Sequence, residues 1–274
     1  MAIPNSVARL ESRALIALSG ADWRSFLQGL ITQDVDSLVP GELRFAALLT
    51  PQGRLLYDLF VAGREDGAWL DVQADVREAI IQRLSMYRLR AKVEIAADDA
   101  PVLAQWGETA PGPGWFADPR LPALGWRGYG ALMPATTGED AYEAHRLALG
   151  VPGPADWGSE KTYPIEADFD LLAGIDFKKG CFVGQETTSR MKRRGQIKSR
   201  MLPLAFDGPA PTPGAEVLAG ELRAGEVLSG RDGRAMALVR LDRIAGASLT
   251  VDGRPVTVDA PEWIELPTAT EPEA

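Results

Sequence analysis

The densest chemical signal in the chain is the segment IDFKKGCFVGQE, which runs from Ile175 to Glu186. It contains Cys181, the single cysteine of the 274-residue chain, with two lysines just before it. Gly180 and Gly184 flank the cysteine, and glycines permit unusual backbone angles and close approach by a partner. The polar residues that follow predict the start of a helix. The segment therefore predicts one thiol in a loop before a helix N-terminus.

Two interpretations of Cys181 follow from these surroundings. A helix N-terminus and neighbouring ammonium groups stabilise a thiolate, which is the nucleophilic and metal-ligating form of cysteine. Most free cysteines instead behave as small buried apolar residues. A single thiol excludes an internal disulfide and a complete cysteine-based zinc or cluster site within this chain. A metal role would therefore need ligands from another molecule.

The N-terminal part of the chain predicts an α+β unit. Apolar runs predict strands, and apolar residues spaced by three and four predict helices. Pro51 and Gly53 lie between two apolar runs and predict a hairpin turn. The predicted strands are Arg13–Leu18, Phe45–Leu49, Leu55–Val61, Trp69–Val72 and Ala91–Ile95, and the predicted helices begin at Asp22 and Asp75.

The pattern changes near Arg200. Short alternating segments and two Asp-Gly turns follow, which favours a small antiparallel sheet or barrel without helices. We therefore predict an α+β body over residues 1–200, a β-barrel over residues 201–267 and a disordered acidic tail over residues 268–274. A doubly wound parallel sheet is not expected.

Composition narrows the function classes. The net charge is −9 and the isoelectric point is near 4.8, which argues against a general binder of polyanions. No apolar run approaches the roughly 18 residues of a membrane span. The N-terminus lacks the basic-then-apolar pattern of a secretory signal. We expect a cytoplasmic protein that makes no membrane contact.

The octapeptide KGCFVGQE, residues 179–186, resembles the signature of the YgfZ proteins, a branch of the folate-binding superfamily that includes the glycine-cleavage T-protein. Residues 145–152, HRLALGVP, look most similar to the mitochondrial Iba57 branch. Further stretches that resemble the family in order and spacing are residues 18–35, 51–58, 87–93 and 163–166. We define the signature loop by Lys179, Gly180, Cys181, Gly184, Gln185 and Glu186.

The resemblance implies an architecture and a role. The family has a three-part α+β body around a central cavity, followed by a C-terminal antiparallel β-barrel. Its Iba57-like branch supports the maturation of [4Fe-4S] proteins, and bacterial relatives support iron–sulfur tRNA-modifying enzymes. The implied protein is a non-enzymatic assembly or repair factor. Cys181 would be one ligand of a transient [2Fe-2S] cluster, with the other ligands supplied by an A-type carrier protein.

The resemblance also implies a tetrahydrofolate site. A carboxylate typically holds the pterin ring, and the family positions make Asp58 and Glu166 the candidate residues. The chain departs from the aminomethyltransferase branch at Tyr57 and Ala148, where that branch has carboxylates. A tetrahydrofolate-dependent aminomethyltransferase is therefore the alternative function.

A basic run links the signature loop to the predicted barrel. It is interpreted as a site for a folate glutamate tail, for an acidic partner protein or for RNA, or else as a solvated charged face. No aromatic residue interleaves the run, which argues against the base stacking of direct nucleic-acid binding. We favour an acidic partner or a carboxylate tail. The run consists of Arg190, Lys192, Arg193, Arg194, Lys198 and Arg200.

Overall fold

A computed structural model describes residues 5–107, 109–130, 133–195 and 197–266. Two antiparallel sheets with flanking helices form the body of the protein, and a separate barrel follows. In chain order the elements are β1 (Ser6–Arg9), β2 (Arg13–Ser19), α1 (Trp23–Gln28), β3 (Leu43–Leu49), β4 (Leu55–Arg64), β5 (Gly67–Gln73), α2 (Arg77–Arg88), β6 (Glu94–Asp98), β7 (Val102–Trp106), β8 (Trp115–Ala117), β9 (Trp126–Tyr129), α3 (Glu139–Ala148), α4 (Pro154–Trp157), α5 (Gln185–Arg194), β10 (Ser199–Ala205), β11 (Glu216–Ala219), β12 (Leu222–Arg231), β13 (Arg234–Arg240), α6 (Leu241–Ile244), β14 (Leu249–Val251) and β15 (Arg254–Val258).

The first sheet has five strands in the order β3-β4-β5-β2-β6. Side chains alternate between its two faces because successive residues of a strand point to opposite sides. Helices α1 and α2 cover one face, and the core beneath them includes Ile16, Leu27, Leu59 and Ile80, all fully buried. Apolar side chains from the strands and from the helices therefore pack together to form the core on this face.

The second sheet has four strands in the order β1-β7-β9-β8. A common core joins it to the other face of the five-stranded sheet and to α3. Phe45 lies at its centre, with ring centroids 4.9 Å from Phe60 and 4.6 Å from Phe169. Because Phe169 comes from the irregular segment after α4, this core also fixes the chain that leads to the signature loop.

The C-terminal part is a closed antiparallel barrel with the strand order β10-β13-β12-β11-β14-β15. Its interior is filled by apolar side chains such as Leu202, Val227 and Val251, which are fully buried. The closed barrel leaves no unpaired sheet edge, so a small unit of short strands is stable. Within the described residues, no helix is both long and apolar enough to cross a membrane.

The predicted fold class is confirmed by these sheets and by the closed barrel. Several element predictions need correction. Asp75 lies in a short 3₁₀ turn, and α2 begins only at Arg77. Strand β6 begins at Glu94 rather than Ala91, because the preceding residues pass close to Gly20, where an added Cβ would lie 2.3 Å from the Lys92 carbonyl oxygen.

The predicted barrel region also contains one short helix, α6, where the sequence predicted none. The first barrel strand begins at Ser199, close to the predicted end of the body. The predicted tail, residues 268–274, lies outside the described residues.

A buried charge cluster connects the body to the barrel. Arg200 of β10 donates to Asp168 at 2.7 Å and to Asp170 at 2.9 Å and 3.0 Å. Asp168 is fully buried, and its Oδ2 has no hydrogen-bond partner among the described residues. Burial raises the pKa of Asp168 to about 8, against the pull of the Arg200 charge. Two side-chain carboxyl groups thus share one guanidinium, and the raised pKa favours the protonated form of Asp168 at neutral pH.

This proton makes stability depend on pH. Asp168 stays protonated in the folded chain up to about pH 8, whereas its carboxyl has an ordinary pKa of 3.8 in the unfolded chain. Over this window the folded state binds more protons, so the free energy of unfolding falls as pH rises, by up to about 1.4 kcal/mol per pH unit. We expect Asp168→Asn, which cannot titrate, to flatten this fall in denaturant titrations between pH 5 and 8.

The control is Asp66→Asn, which changes an exposed carboxylate on the body. It should leave the pH dependence of the wild type unchanged. Equal slopes in wild type and Asp168→Asn would show that Asp168 is ionised in the folded chain.

Candidate functional site

The signature loop is held by the ammonium group of Lys179. Its Nζ donates to the backbone carbonyls of Gln28, Ile31 and Gln33, each at 2.8 Å. These carbonyls belong to the end of α1 and the residues that follow it. Two segments about 150 residues apart in sequence are therefore joined by one side chain.

The residues after Cys181 anchor the loop on its other side. Phe182 is buried in the core between the two sheets, and Val183 packs against the core beneath α1 and α2. The backbone N–H of Val183 also donates to the Gly29 carbonyl at 3.2 Å. Cys181 itself is exposed. The thiol is thus presented to solvent from a loop that is fixed immediately before and after it.

The structure gives Lys179 a positioning role, and its predicted electrostatic effect on Cys181 stays a prediction. All three of its N–H donors are used by backbone carbonyls, so none remains for a thiolate. Burial lowers the pKa of Lys179 to about 8, opposed by the charges of Asp34, Asp176 and Asp36. The positive charge compensates carbonyl dipoles, and the role of Lys179 is to position the loop. The thiolate character of Cys181 stays a prediction.

Gly184 is required by packing rather than by access to the thiol. It has a φ of +82°, and an added Cβ would lie 2.6 Å from the Thr50 carbonyl oxygen in the β3–β4 turn. Gly53, in the same turn, would likewise place a Cβ 3.0 Å from the Gly184 carbonyl oxygen. Gly180 has open space around it, since no heavy atom of the described residues lies within 4 Å of an added Cβ. The two loop glycines therefore have different roles.

Helix α5 begins at Gln185, as the sequence predicted for the region near Gly184. The Gln185 backbone N–H donates to the Phe182 carbonyl at 3.2 Å. Glu186 is exposed in the first turn of α5, where its negative charge interacts favourably with the positive end of the helix dipole. Both residues thus support the start of α5, which directs the chain away from the thiol.

Asp58 lies inside the protein, in an ion-pair network between the two sheets. Its carboxylate accepts from Arg13 at 2.8 Å and from Gln73 at 3.0 Å, so both oxygens are occupied. Arg13 also pairs with Asp71 at 2.6 Å, and Asp71 pairs with Arg127 at 2.6 Å. The network joins β2, β4 and β5 of one sheet to β9 of the other.

This network fills the centre of the body. The cavity that remains beside Asp58 has a volume of about 30 Å³ and is lined by the side chains of Arg13, Arg120, Arg127 and Arg146, among others. Small-molecule sites typically measure about 300–1,000 Å³. The central cavity therefore has room for water but not for a pterin ring.

Glu166 lies in a different place. Its carboxylate accepts the backbone N–H of Tyr163 at 2.9 Å, and burial raises its pKa. It faces a separate cavity of about 250 Å³ beside α5. Among the described residues, Asp58 and Glu166 line different cavities. The two residues predicted for tetrahydrofolate therefore do not form one pocket for that cofactor.

The basic run divides into three sets. Arg200 is buried in the cluster with Asp168 and Asp170, and Lys192 lies 3.9 Å from Asp170, so their charges are compensated. Arg193 is exposed and bonds its own helix at the Ser189 carbonyl. Arg190, Arg194 and Lys198 line the cavity beside Glu166, where the Tyr163 ring lies 3.9 Å below the Arg54 guanidinium. These three form no ion pair among the described residues.

Sequence reasoning missed the buried partners of these residues. Arg13, Asp71 and Arg127 are single charges within otherwise apolar strands, which is the signal that points to a buried pair. Their partners lie on other strands, so the sequence does not identify them. Among the described residues, no group of three or more His, Cys, Asp or Glu side chains is arranged to hold a metal ion.

The two packed sheets and the terminal barrel define the fold of the glycine-cleavage aminomethyltransferases. Aminomethyltransferase T of the glycine cleavage system from Bartonella henselae superposes with a TM-score of 0.78, over 96% of this chain and 87% of that one, at 18% identity. Residues 198–266 match the family of CAF17 C-terminal beta-barrel domains.

Closer similarity is found to iron–sulfur cluster assembly factors. The mouse mitochondrial factor IBA57 is 31% identical, over 96% of this chain and 86% of its own length. The human protein is 30% identical, over 87% and 78% respectively. The chain belongs to the IBA57 family, which confirms the resemblance seen in the sequence. It spans only 55–60% of the length of longer fungal relatives, such as those of Mycosarcoma maydis and Neurospora crassa.

The first site prediction concerns Lys179. We expect Lys179→Met to remove three charge-assisted hydrogen bonds and to lower the free energy of unfolding by about 2–4 kcal/mol. Amide hydrogen exchange at residues 180–184 should accelerate more than exchange in the barrel. Lys178→Met, which changes the exposed neighbouring lysine, is the matched control. Equal protection in the two variants would contradict the positioning role.

The second site prediction compares the two loop glycines. Gly184→Ala introduces a side chain at positive φ and against the Thr50 carbonyl, so we expect a loss of roughly 2 kcal/mol in the free energy of unfolding. Gly180→Ala enters open space and should change it by less than about 0.5 kcal/mol. Thermal unfolding of both variants measures the difference. A loss of stability confined to Gly180→Ala would reverse this assignment.

Proposed function

We propose that this protein is a non-enzymatic assembly factor for iron–sulfur proteins, with Cys181 as its functional group. The observation that carries the proposal is the exposed, single thiol on a loop fixed by Lys179 and Val183, in a chain of the IBA57 family. A thiol held in this way can ligate without first ordering the loop, so less entropy is lost on binding.

The cluster is cargo rather than a resident cofactor. Iron–sulfur clusters are usually held by four cysteine thiolates, and this chain supplies one. The other ligands of a transient [2Fe-2S] cluster would come from an A-type carrier protein. The side chain of Cys181 would lose its proton and occupy one iron coordination position. Transfer of the [2Fe-2S] unit itself then requires only exchange of thiolate ligands, with no change of oxidation state. Coupling of two such units into a [4Fe-4S] cluster takes up two electrons, which a low-potential electron-transfer protein would supply.

The uncompensated part of the basic run supports an acidic partner. Arg190, Arg194 and Lys198 lie on and just after α5, the helix that begins four residues beyond Cys181. Opposite charges at an interface accelerate encounter and fix orientation. The alternative ligand of this cavity is a carboxylate tail, whereas direct nucleic-acid binding has no aromatic platform in the run.

The alternative function is aminomethyl transfer to tetrahydrofolate, which the shared fold favours. The filled central cavity and the occupied carboxylate of Asp58 count against it. A fold alone does not define an activity, since the same scaffold supports different sites. We therefore assign no step to folate.

Two finer predictions remain as proposals. Support of iron–sulfur tRNA-modifying enzymes rests on the family resemblance alone. A cytoplasmic location likewise stays a proposal, whereas the relatives are named as mitochondrial proteins.

The proposed function is tested by replacing the thiol of Cys181. We expect wild type mixed with a [2Fe-2S]-loaded A-type carrier to change the visible absorption of the cluster, and Cys181→Ser to abolish that change because a hydroxyl is a poor iron ligand. In a strain lacking the native gene, wild type should restore the activity of a [4Fe-4S] enzyme, and Cys181→Ser should reduce it at least about tenfold. Asp66→Asn keeps the thiol and both lysines beside it and serves as the control.

Two results would contradict the proposal. Equal spectra and equal rescue by wild type and Cys181→Ser would remove the thiol from the function. Formation of methylenetetrahydrofolate from an aminomethylated carrier protein would establish the alternative function instead.

A further inference from the structure

An exposed apolar and basic surface lies at the end of α2, outside the signature loop and the basic run. Every residue from Ser85 to Arg90 is exposed. Three of them are large and apolar: Met86 is 68% exposed, Tyr87 41% and Leu89 90%. A consecutive set of this kind is unusual for a solvated helix end and typically marks an interaction site.

The backbone at Leu89 is strained. Leu89 ends α2 with a φ of +43° and a ψ of −104°, a region that residues with a side chain rarely adopt. Glycine or asparagine would adopt a positive φ at lower cost. The leucine side chain gains almost no burial in return. Stability of this chain alone therefore gives no reason for a leucine at this position.

Four cations flank the three apolar side chains along the sequence, with the Asp22 carboxylate at the backbone N–H of Lys92. The ten residues from Arg83 to Lys92 contain four cations and no acidic residue, in a chain whose net charge is −9. Arg83, Arg88, Arg90 and Lys92 form no ion pair among the described residues. An apolar centre with a charged rim is the usual arrangement of a protein interface.

This surface is connected to the signature loop through α1. The backbone N–H of Lys92 donates to the Asp22 carboxylate at 2.8 Å, and Asp22 immediately precedes α1. The other end of α1 holds the loop through the carbonyls of Gln28 and Gly29. Because α1 has six residues, its length is roughly 9 Å. The two exposed features therefore flank one short helix.

We propose that Met86, Tyr87 and Leu89, with the four flanking cations, form a docking surface for the acidic protein that shares the cluster with Cys181. The inference rests on the proposed function and adds a contact that does not involve the cluster. The partner would offer an apolar pocket for Leu89 and Met86 with carboxylates at its edge. Docking here would bring the partner's ligands to the thiol and orient them.

A protein partner is favoured over the other occupants of such a surface. The cations are complementary to an acidic surface. Because the surface lies near the thiol loop, a protein bound here could also contact Cys181. A second copy of this chain or an anionic membrane would use the same side chains without reaching the thiol. These two occupants are distinguished by the experiment.

The experiment measures docking without the cluster. The probe is the cluster-free A-type carrier, titrated by calorimetry into the Cys181→Ser chain, so that ligation contributes nothing. We expect Met86→Ser combined with Leu89→Ser to weaken binding about tenfold or more. Leu222→Ser, which removes a leucine that is 62% exposed on the barrel, is the matched control and should not change the affinity.

Leu89→Asn separates docking from structure. Asparagine tolerates positive φ, so we expect an unchanged or higher midpoint of thermal unfolding together with weaker docking. A merely structural leucine would give a lower midpoint and unchanged docking, which would overturn the inference. Arg88→Glu combined with Arg90→Glu should weaken docking more at low than at high salt.

The remaining outcomes are decisive as well. Absence of binding between wild type and the cluster-free carrier would overturn the docking surface. The Met86/Leu89 variant could instead keep carrier docking and lose self-association, which would assign the surface to a second copy of this chain. If it kept carrier docking and lost binding to anionic phospholipid vesicles, the surface would be assigned to a membrane. Failure of the thiol test with intact docking would refute the proposed function alone.

Discussion

The ion pairs between Arg13, Asp58, Asp71 and Arg127 constrain the rest of the body. Buried charges of this kind are costly unless every member is paired, because their hydration is lost on folding. Here Asp71 bridges two arginines from different sheets at 2.6 Å each. The two sheets must therefore pack in one arrangement, and the volume that a ligand would need is filled by guanidinium and carboxylate groups.

The filled centre of the body makes the surface loop that carries Cys181 the candidate site. In a fold shared with an aminomethyltransferase, the exposed chemical group of this chain is a thiol on a loop. That loop needs support of its own, which comes from the Lys179 ammonium and from Phe182 in the core. Since Phe182 packs in the same core as Phe45 and Phe60, the central packing and the position of the thiol are linked.

Sequence patterns were sufficient for the architecture and for the placement of Cys181 before a helix. Alternation and helical spacing predicted most strands and both helices of the five-stranded sheet, and Cys181 lies before a helix as expected. The partners of charged side chains were not predictable, because they are set by contacts between distant segments. Lys179 was expected to act on the neighbouring thiol, yet its acceptors are carbonyls near residue 30. Arg200 looked like one more surface cation, but two aspartates of another segment bury it.

The spacing of residues in the sequence also failed to distinguish the two loop glycines, because their roles are set by contacts with other backbone segments. Gly180 and Gly184 look equivalent in sequence, since both flank the cysteine. Only Gly184 contacts another backbone, in the turn between β3 and β4, and that contact depends on Gly53 in that turn. The family motif around Pro51 and Gly53 and the cysteine signature are therefore two sides of one interface. The motifs at residues 18–35 and 51–58 thus contact the thiol loop directly, through the carbonyls bound by Lys179 and through the packing of Gly184 against the turn, so the position of Cys181 depends on segments far from it in sequence.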